Sequence, residues 1–137
     1  MISPDHRDVV EEIDAVAADA LAAFKQRNWE RAMSVFSRDL EYTQRNGTTI
    51  GWKRLAKQVR QQLRAMDSVE TTSAREFMNI SGDTALEIST LAAVYKIRLF
   101  WKFTKTWNLY RRSQRVWKRT IEGWKVTKVI VVEESVV

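Results

Sequence analysis

Apolar residues recur with the period of a helix in three segments of the chain. The first segment, residues 5–26, is preceded by Ser3 and Pro4, a capping hydroxyl and a proline that suits a first helical turn. Residues 28–37 and 52–66 repeat the spacing over shorter lengths. The sequence therefore predicts three helices. The apolar face of the first consists of Val9, Ile13, Val16, Ala20 and Phe24.

Alternating apolar and polar residues predict strands in the rest of the chain. The predicted strands cover residues 39–45, 69–81, 84–96, 107–120 and 124–132, with a short return strand near residues 48–50. Glycine turns at Ser81-Gly82-Asp83 and Glu122-Gly123 favour antiparallel hairpins between the later strands. Residues 97–106 are compatible either with a strand that continues through a bulge or with an aromatic loop.

The order of these elements is an α+β pattern. We expect one domain over residues 1–137, in which three N-terminal helices cover one face of a curved antiparallel or mixed sheet. A chain of 137 residues can form one core of useful size without a second domain. The predicted core residues are Ile13, Ala20, Phe24, Phe36, Leu55, Val59, Met78, Ile80 and Trp124.

The formal net charge of +6 is unevenly distributed. Residues 5–19 contain six acidic residues and one arginine, whereas residues 88–121 contain nine Lys or Arg and no acid. The simplest interpretation is that an acidic helix and a basic sheet are complementary parts of one body. The cations on the outer side of the third helix are interpreted first as a solvated face.

An alternative interpretation of the basic strands is a groove for single-stranded nucleic acid. Lysines and arginines there alternate with aromatic residues, as stacking platforms require. Strand alternation alone produces the same order, so we expect nucleic acid not to be the partner. The aromatic residues concerned are Trp101, Trp107, Tyr110 and Trp117.

The composition argues against several kinds of site. The chain has no cysteine and one histidine, so we expect no disulfide, no metal centre and no cofactor. The histidine, His6, is expected to be solvated. No apolar run reaches the roughly 18 residues of a membrane span, and the first residues lack the features of a secretory signal. The expectation is a cytoplasmic protein with no membrane partner.

Several stretches carry a resemblance to a known family. They are Asn28–Ala32 with Phe36–Leu40, Gly47–Gly51, Ile80–Ala85, and Val116–Val126, the last an aromatic strand, a glycine turn and Trp-Lys-Val. In order and spacing they resemble the nuclear transport factor 2-like superfamily, which includes SnoaL-like polyketide cyclases, ketosteroid isomerases and scytalone dehydratase. The resemblance implies a cone-shaped fold, an open cone lined by the first helix and the concave sheet face, and dimers formed through the other face.

The resemblance also implies catalytic positions that this chain fills differently. The isomerases' tyrosine position falls on Ala20, their general-base aspartate on Gln44 and their second oxyanion-hole acid on Arg115. The histidine that many SnoaL-like members carry on the final strand falls near Ile130. An amide cannot take a proton from carbon, and alanine donates no hydrogen bond to an enolate. We therefore expect no isomerisation of the ketosteroid type.

Strand parity taken from the resemblance turns several side chains toward the cone. An arginine there could orient a carboxylate or phosphate of a small ligand, with hydroxyl and amide partners and an apolar wall. Two further candidates, Asp14 and Ala20, lie on the covering helix. If the chain has a base at a position other than those of the family, Asp14 is the first candidate for it. The strand candidates are Tyr42, Gln44, Arg111, Arg115 and Trp117.

The alternative is that Arg115 is not a ligand-binding group. It would then pair with an acid of the covering helix, Asp14 or Asp19, because unpaired arginines are rarely buried. In the same way, Glu76 and Glu87 are expected to form ordinary cross-strand pairs with Arg75 or Lys96.

Three functions are compatible with these observations. The preferred one is a SnoaL-like domain that binds a small apolar or anionic molecule. The second is a SnoaL-like lyase, isomerase or hydrolase with a small hydrophobic substrate. The third is a noncatalytic protein-interaction or nucleic-acid module that uses the basic aromatic strands. A homodimer is expected, since the strand at 124–132 is apolar on both faces near its end and one face needs a cover.

Overall fold

The computed structural model describes residues 6–100 and 103–137, except for the side chain of Phe100. The described part of the chain folds into helices and strands in the predicted order. They are α1 (Arg7–Lys25), α2 (Trp29–Met33), β1 (Phe36–Thr43), β2 (Thr49–Ile50), α3 (Trp52–Ala65), β3 (Met66–Ser81), β4 (Thr84–Phe100), β5 (Phe103–Thr120) and β6 (Gly123–Val136). The α+β class is confirmed.

The strands form one mixed sheet in the order β2-β1-β6-β5-β4-β3. β1 runs parallel to β6, and the other neighbours are antiparallel. Register shifts interrupt every long pairing, for example between Arg75 and Phe77 in β3 and between Arg112 and Ser113 in β5. Because a bulge bends a strand and increases its twist, these shifts are consistent with a curved sheet that has a concave inner face.

The core lies between the helices and this inner face. Its largest fully buried side chains are Trp117, Ile13, Met33 and Val126. Of the predicted core residues, five are buried, namely Ile13, Leu55, Met78, Ile80 and Trp124, while Ala20, Phe36 and Val59 are partly buried and pack against the cluster. Phe24 is half-buried and lies outside that cluster.

The predicted second helix is too long. α2 ends at Met33 and β1 begins at Phe36, so Phe36 is a strand residue. The reason is tertiary: Phe36 pairs with Val126 of β6, and the Val126 N–H donates to the Val35 carbonyl at 2.8 Å. Asn28 does cap α2, since its Oδ1 accepts from the Arg31 N–H at 3.2 Å.

The strands are longer than predicted at several ends. β3 begins at Met66 and β6 continues to Val136. β4 extends as far as Phe100, and β5 begins at Phe103. Residues 97–100 and 103–106 are therefore strand residues, with a register shift between Arg98 and Phe100. Residues 101 and 102, and the predicted helix start at residues 3–5, lie outside the described residues.

Within the described ranges, no helix is both long enough and apolar enough to cross a membrane. His6 lies half-buried at the cap position of α1.

Replacing Trp124 with alanine should lower the free energy of unfolding by about 3–5 kcal/mol. Trp124 is only 3% exposed, and its Nε1 donates to Glu12 Oε2 at 2.9 Å, which ties the β5–β6 hairpin to α1. Urea denaturation measures the change. The control is Ile121→Ala in the adjacent turn, where the side chain is fully exposed and the change should stay within about 0.5 kcal/mol. Equal stability of the two variants would contradict the prediction.

Candidate binding site on the concave face

One row of paired residues crosses the whole sheet. Successive Cα partners from β2 to β3 are Ile50, Tyr42, Val129, Arg115, Glu87 and Met78. Residues directly opposite one another in neighbouring strands share a face, so these six side chains lie on the inner face. Four are buried, and the two exceptions are Tyr42 and Arg115, which are half-buried. An arginine and an acid thus lie side by side in an otherwise apolar row.

Glu87 is the buried carboxylate of this row. Its Oε2 accepts from Arg75 Nε at 2.8 Å, and its Oε1 accepts from Trp117 Nε1 at 3.1 Å. Arg115 Nη1 lies 3.9 Å from the same Oε1. A buried carboxylate is tolerated only with such partners. Because both oxygens are engaged, Glu87 serves as a counter-ion and is poorly placed to act as a base.

Arg75 links this carboxylate to the covering helix. Besides its bond to Glu87, its Nη2 donates to Asp14 Oδ1 of α1 at 2.5 Å. Burial alone lowers the pKa of Arg75, but the hydrogen bonds that it donates to Asp14 and Glu87 outweigh this effect and hold the pKa above its ordinary value. The Arg75 side chain therefore stays charged and joins α1, β3 and β4.

Arg115 is less well compensated than Arg75. Burial lowers its pKa, and the attraction of Glu87 and Tyr42 offsets only part of that effect, while the positive charges of Arg111 and Arg75 lower the pKa further. No hydrogen bond joins its guanidinium to any other described residue. Its side chain nevertheless remains 31% exposed. Arg115 is thus a partly desolvated cation with unused donors that solvent can reach.

Arg111, four residues before Arg115 on the same face of β5, has its own acid. Its Nε donates to Glu134 Oε2 of β6 at 2.6 Å. Burial lowers its pKa, but the nearby Tyr42, Glu134 and Tyr95 outweigh it, and the net shift is upward. Tyr42 of β1 and Arg115 of β5 are both Cα partners of Val129 in β6, so Tyr42, Arg111 and Arg115 form one cluster of side chains on the same face of the sheet.

A free hydroxyl lies in the next row. Ser89 is the Cα partner of both Arg75 and Ser113, and only 7% of its surface is exposed. Its Oγ has no hydrogen-bond partner among residues 6–100 and 103–137. A buried hydroxyl without a partner costs about 1–3 kcal/mol. A polar atom supplied from outside the chain would remove that cost.

Solved structures share this arrangement of helices and sheet. A scytalone dehydratase-like protein from Novosphingobium aromaticivorans superposes with a TM-score of 0.81 at 14% identity, covering 97% of this chain and 91% of that one. A dehydratase-like protein of the nuclear transport factor 2-like family from Streptomyces avermitilis gives 0.73 at 14%, covering 94% and 97%. A ketosteroid isomerase-like protein from Erwinia carotovora atroseptica gives 0.71 at 13%, covering 96% and 98%.

The chain has the nuclear transport factor 2-like fold. At these identities the likeness establishes the fold and leaves the activity open. No family model and no curated protein matches the sequence. The chemistry of this nuclear transport factor 2-like cone therefore has to be argued from its own residues.

The structure places most of the sequence-derived candidates around the Glu87 row. Four of them lie on the inner face, namely Tyr42, Arg111, Arg115 and Trp117, and Trp117 is fully buried there. The other three are more peripheral. Gln44 is half-buried one residue beyond β1, Asp14 is held by Arg75, and Ala20 packs against the core from α1.

The predicted ion pairs are partly wrong. Neither Asp14 nor Asp19 pairs with Arg115, because Asp14 bonds to Arg75 and Asp19 bonds to Arg31. The acid beside Arg115 is Glu87.

Of the pairs predicted for the two strand acids, one is confirmed and the other is wrong. The predicted pair of Glu87 with Arg75 is confirmed at 2.8 Å. Glu76 instead pairs with Arg112 at 2.7 Å, because both point to the outer face of the sheet.

Sequence reasoning missed Glu87 and Ser89 as members of the site. The signal was available, since Ala85, Glu87 and Ser89 alternate along β4. Its use depends on the antiparallel register of β4 with β5, which sets Glu87 opposite Arg115.

The basic aromatic strands do not form one stacking surface. Trp117 is buried on the inner face, Tyr110 is 37% exposed on the outer face, and Trp107 is half-buried under Lys105, whose Nζ lies 4.3 Å from the ring centroid. Trp101 lies outside the described residues. These placements give no support to a nucleic-acid groove on the strands.

Replacing Glu87 with glutamine should lower the free energy of unfolding by about 3–5 kcal/mol, because it leaves Arg115 in the interior without a counter-ion. Urea denaturation measures the change. Adding Arg115→Met should restore part of the loss. The matched control is Glu76→Gln, which breaks an outer pair whose side chains are 41% and 35% exposed, and which should cost about 0–1 kcal/mol. Equal losses in the two glutamine variants would contradict the role of Glu87.

Proposed function

We propose that this protein binds a small molecule with a carboxylate and an apolar body in its cone, and that Arg115 recognises the carboxylate. The observation that carries the proposal is the state of Arg115. Its guanidinium is partly desolvated, lies 3.9 Å from its nearest carboxylate and forms no hydrogen bond with the described residues. A guanidinium presents a planar set of donors that fits a carboxylate with two parallel hydrogen bonds.

The neighbouring groups support a ligand of this kind. Tyr42 lies close enough to act electrostatically on Arg115, and the Ser89 hydroxyl lacks a partner among the described residues. Trp117 and Val129 flank Arg115 but are buried, and the half-buried ring of Tyr42, in the same row, offers the accessible apolar surface. A polar head and an apolar wall are the usual composition of a small-molecule site.

The charge balance favours a single negative charge. Three guanidinium groups on the inner face, those of Arg75, Arg111 and Arg115, already have three carboxylates nearby, those of Asp14, Glu87 and Glu134. A dianionic phosphate would add two negative charges to a balanced site, whereas a carboxylate adds only one and can use the unused donors of Arg115.

The ligand proposal is tested with 2-naphthoate, an aromatic carboxylate, and its neutral amide. Calorimetry should show that the native protein prefers the carboxylate. Arg115→Met should weaken carboxylate binding about tenfold or more, because it removes a charge-assisted pair of hydrogen bonds. The control is Arg112→Met, which removes an arginine from the outer face of the same strand and should leave binding unchanged. Equal affinity for the acid and the amide would overturn the proposal.

Binding without catalysis is proposed ahead of a lyase, isomerase or hydrolase activity. The three similar structures carry dehydratase or isomerase names, but the positions that the sequence resemblance assigns to the isomerases' catalytic residues hold Ala20, Gln44 and Arg115 here. The acids beside the inner-face arginines are already used, since Glu87 is bonded through both oxygens, Asp14 is bonded to Arg75 and Glu134 is bonded to Arg111. A general base needs a carboxylate that is free to take a proton.

The unmodified protein should not isomerise a β,γ-unsaturated steroid ketone, as followed by the absorbance of the conjugated product. Gln44→Asp should also fail, because Ala20 supplies no hydrogen-bond donor for the enolate. Turnover by the unmodified protein would contradict the prediction. In that event Asp14→Asn would be the first variant to examine.

A homodimer is proposed through the outer face of the sheet. Phe77, Leu86 and Tyr110 point outward and are 45%, 39% and 37% exposed. Leu86 pairs with the half-buried Val116, which makes the apolar area continuous across β4 and β5. An exposed apolar area on a sheet favours association with a second copy.

Sedimentation at micromolar concentration should show two chains per particle. Leu86→Glu should shift the protein to a monomer, because it places a charge within the apolar contact. The control is Ile121→Glu, a fully exposed turn residue away from that face, which should remain dimeric. A monomeric unmodified protein would overturn this proposal.

A further inference from the structure

Helix α3 carries five cations and no acidic residue: Lys53, Arg54, Lys57, Arg60 and Arg64. All five are exposed, and none forms an ion pair with a carboxylate in the part of the chain that the structure describes. Like charges three or four residues apart on a helix repel each other. Solvation, the simplest interpretation of this face, leaves that repulsion uncompensated.

Four of these cations form one stripe. Lys53, Lys57, Arg60 and Arg64 are spaced by four, three and four residues, which places them on the same side of the helix. With a rise of 1.5 Å per residue, the stripe is about 17 Å long. A linear arrangement of this length suits an extended anion better than a single small one.

The stripe borders a cleft of about 410 Å³ between α2 and α3. The other lining residues include Trp29, Trp52 and Ala56, which supply apolar surface. The guanidinium of Arg60 lies 4.7 Å from the centroid of the Trp29 ring, and that of Arg38 lies 3.7 Å from the centroid of Trp52. Stacking on a ring restrains a guanidinium while its N–H groups remain available at the edge.

We propose that this α2–α3 cleft docks an acidic segment of a partner protein. Carboxylates of the segment would pair with the cations of the α3 stripe, and an apolar side chain would fill the cleft against Ala56. Single-stranded nucleic acid is disfavoured, because its bases need open aromatic faces. Here a guanidinium already lies over each of the two rings, those of Trp29 and Trp52. Acidic side chains need only the guanidinium edges and the lysines.

The probe is a fluorescein-labelled peptide whose glutamates repeat at the spacing of the stripe, with leucine on the same side. Anisotropy should show binding that weakens as salt is raised. A scrambled peptide of identical composition should bind at least about fivefold more weakly, because its charges do not match the stripe. Indole ¹⁵N signals of Trp29 and Trp52 should shift on binding, whereas that of the buried Trp117 should not.

The test variants reverse or remove charge on the stripe. Lys57→Glu combined with Arg60→Glu should weaken peptide binding about tenfold or more. The second pair, Lys53→Gln with Lys57→Gln, should weaken peptide binding by a smaller factor. Neither lysine stacks on a tryptophan, so this pair keeps the test valid if the first pair misfolds. The matched control is Lys118→Glu with Lys128→Glu, two exposed residues of the outer sheet face, which changes the net charge equally and should leave binding within about twofold.

Two results would overturn the proposal. Equal losses in the stripe and control pairs would show general attraction to a basic protein. Tighter binding of a single-stranded oligonucleotide of equal charge would make nucleic acid the partner. Arg115→Met should leave peptide binding unchanged, which separates this cleft from the cone.

Discussion

The buried carboxylate of Glu87 is the constraint on which the concave face depends. It lies in the interior of a sheet where an acid is costly, so its oxygens require donors from the neighbouring strands. Arg75 and Trp117 supply hydrogen bonds from β3 and β5, and Arg115 supplies a charge. Through Arg75 and Asp14 the same network reaches α1. One side chain thereby sets the positions of three strands and the covering helix.

The ion pairs of the α1 acids determine which basic residues have a carboxylate partner and which do not. Glu12 pairs with Arg119 and Asp14 pairs with Arg75, so the acidic helix does compensate part of the basic sheet. Asp19 pairs with Arg31 at the start of α2. Among the residues that the structure describes, no acid pairs with the α3 stripe. The interior is therefore nearly balanced in charge, whereas the surface of α3 keeps its positive charge.

The fold and the chemistry of this cone are set by different residues. Apolar packing of helices on a bent sheet gives the nuclear transport factor 2-like architecture, and many sequences can satisfy it. The chemistry depends on a few inward positions. Position 115 holds an arginine and position 44 an amide, and neither side chain can act as the carboxylate base that proton transfer requires.

The sequence alone determined what depends on short-range order. Alternation and glycine turns predicted the long hairpins and the inward side of β5, because side-chain direction repeats every two residues and a tight turn sets the register beside it. The end of α2 and the acid beside Arg115 were decided by tertiary structure. Phe36 joins a strand because it pairs with Val126 of β6, which lies ninety positions later in the sequence. Glu87 meets Arg115 because the antiparallel register that pairs Phe100 with Phe103 continues along β4 and β5. Periodicity within either strand contains no information about that register.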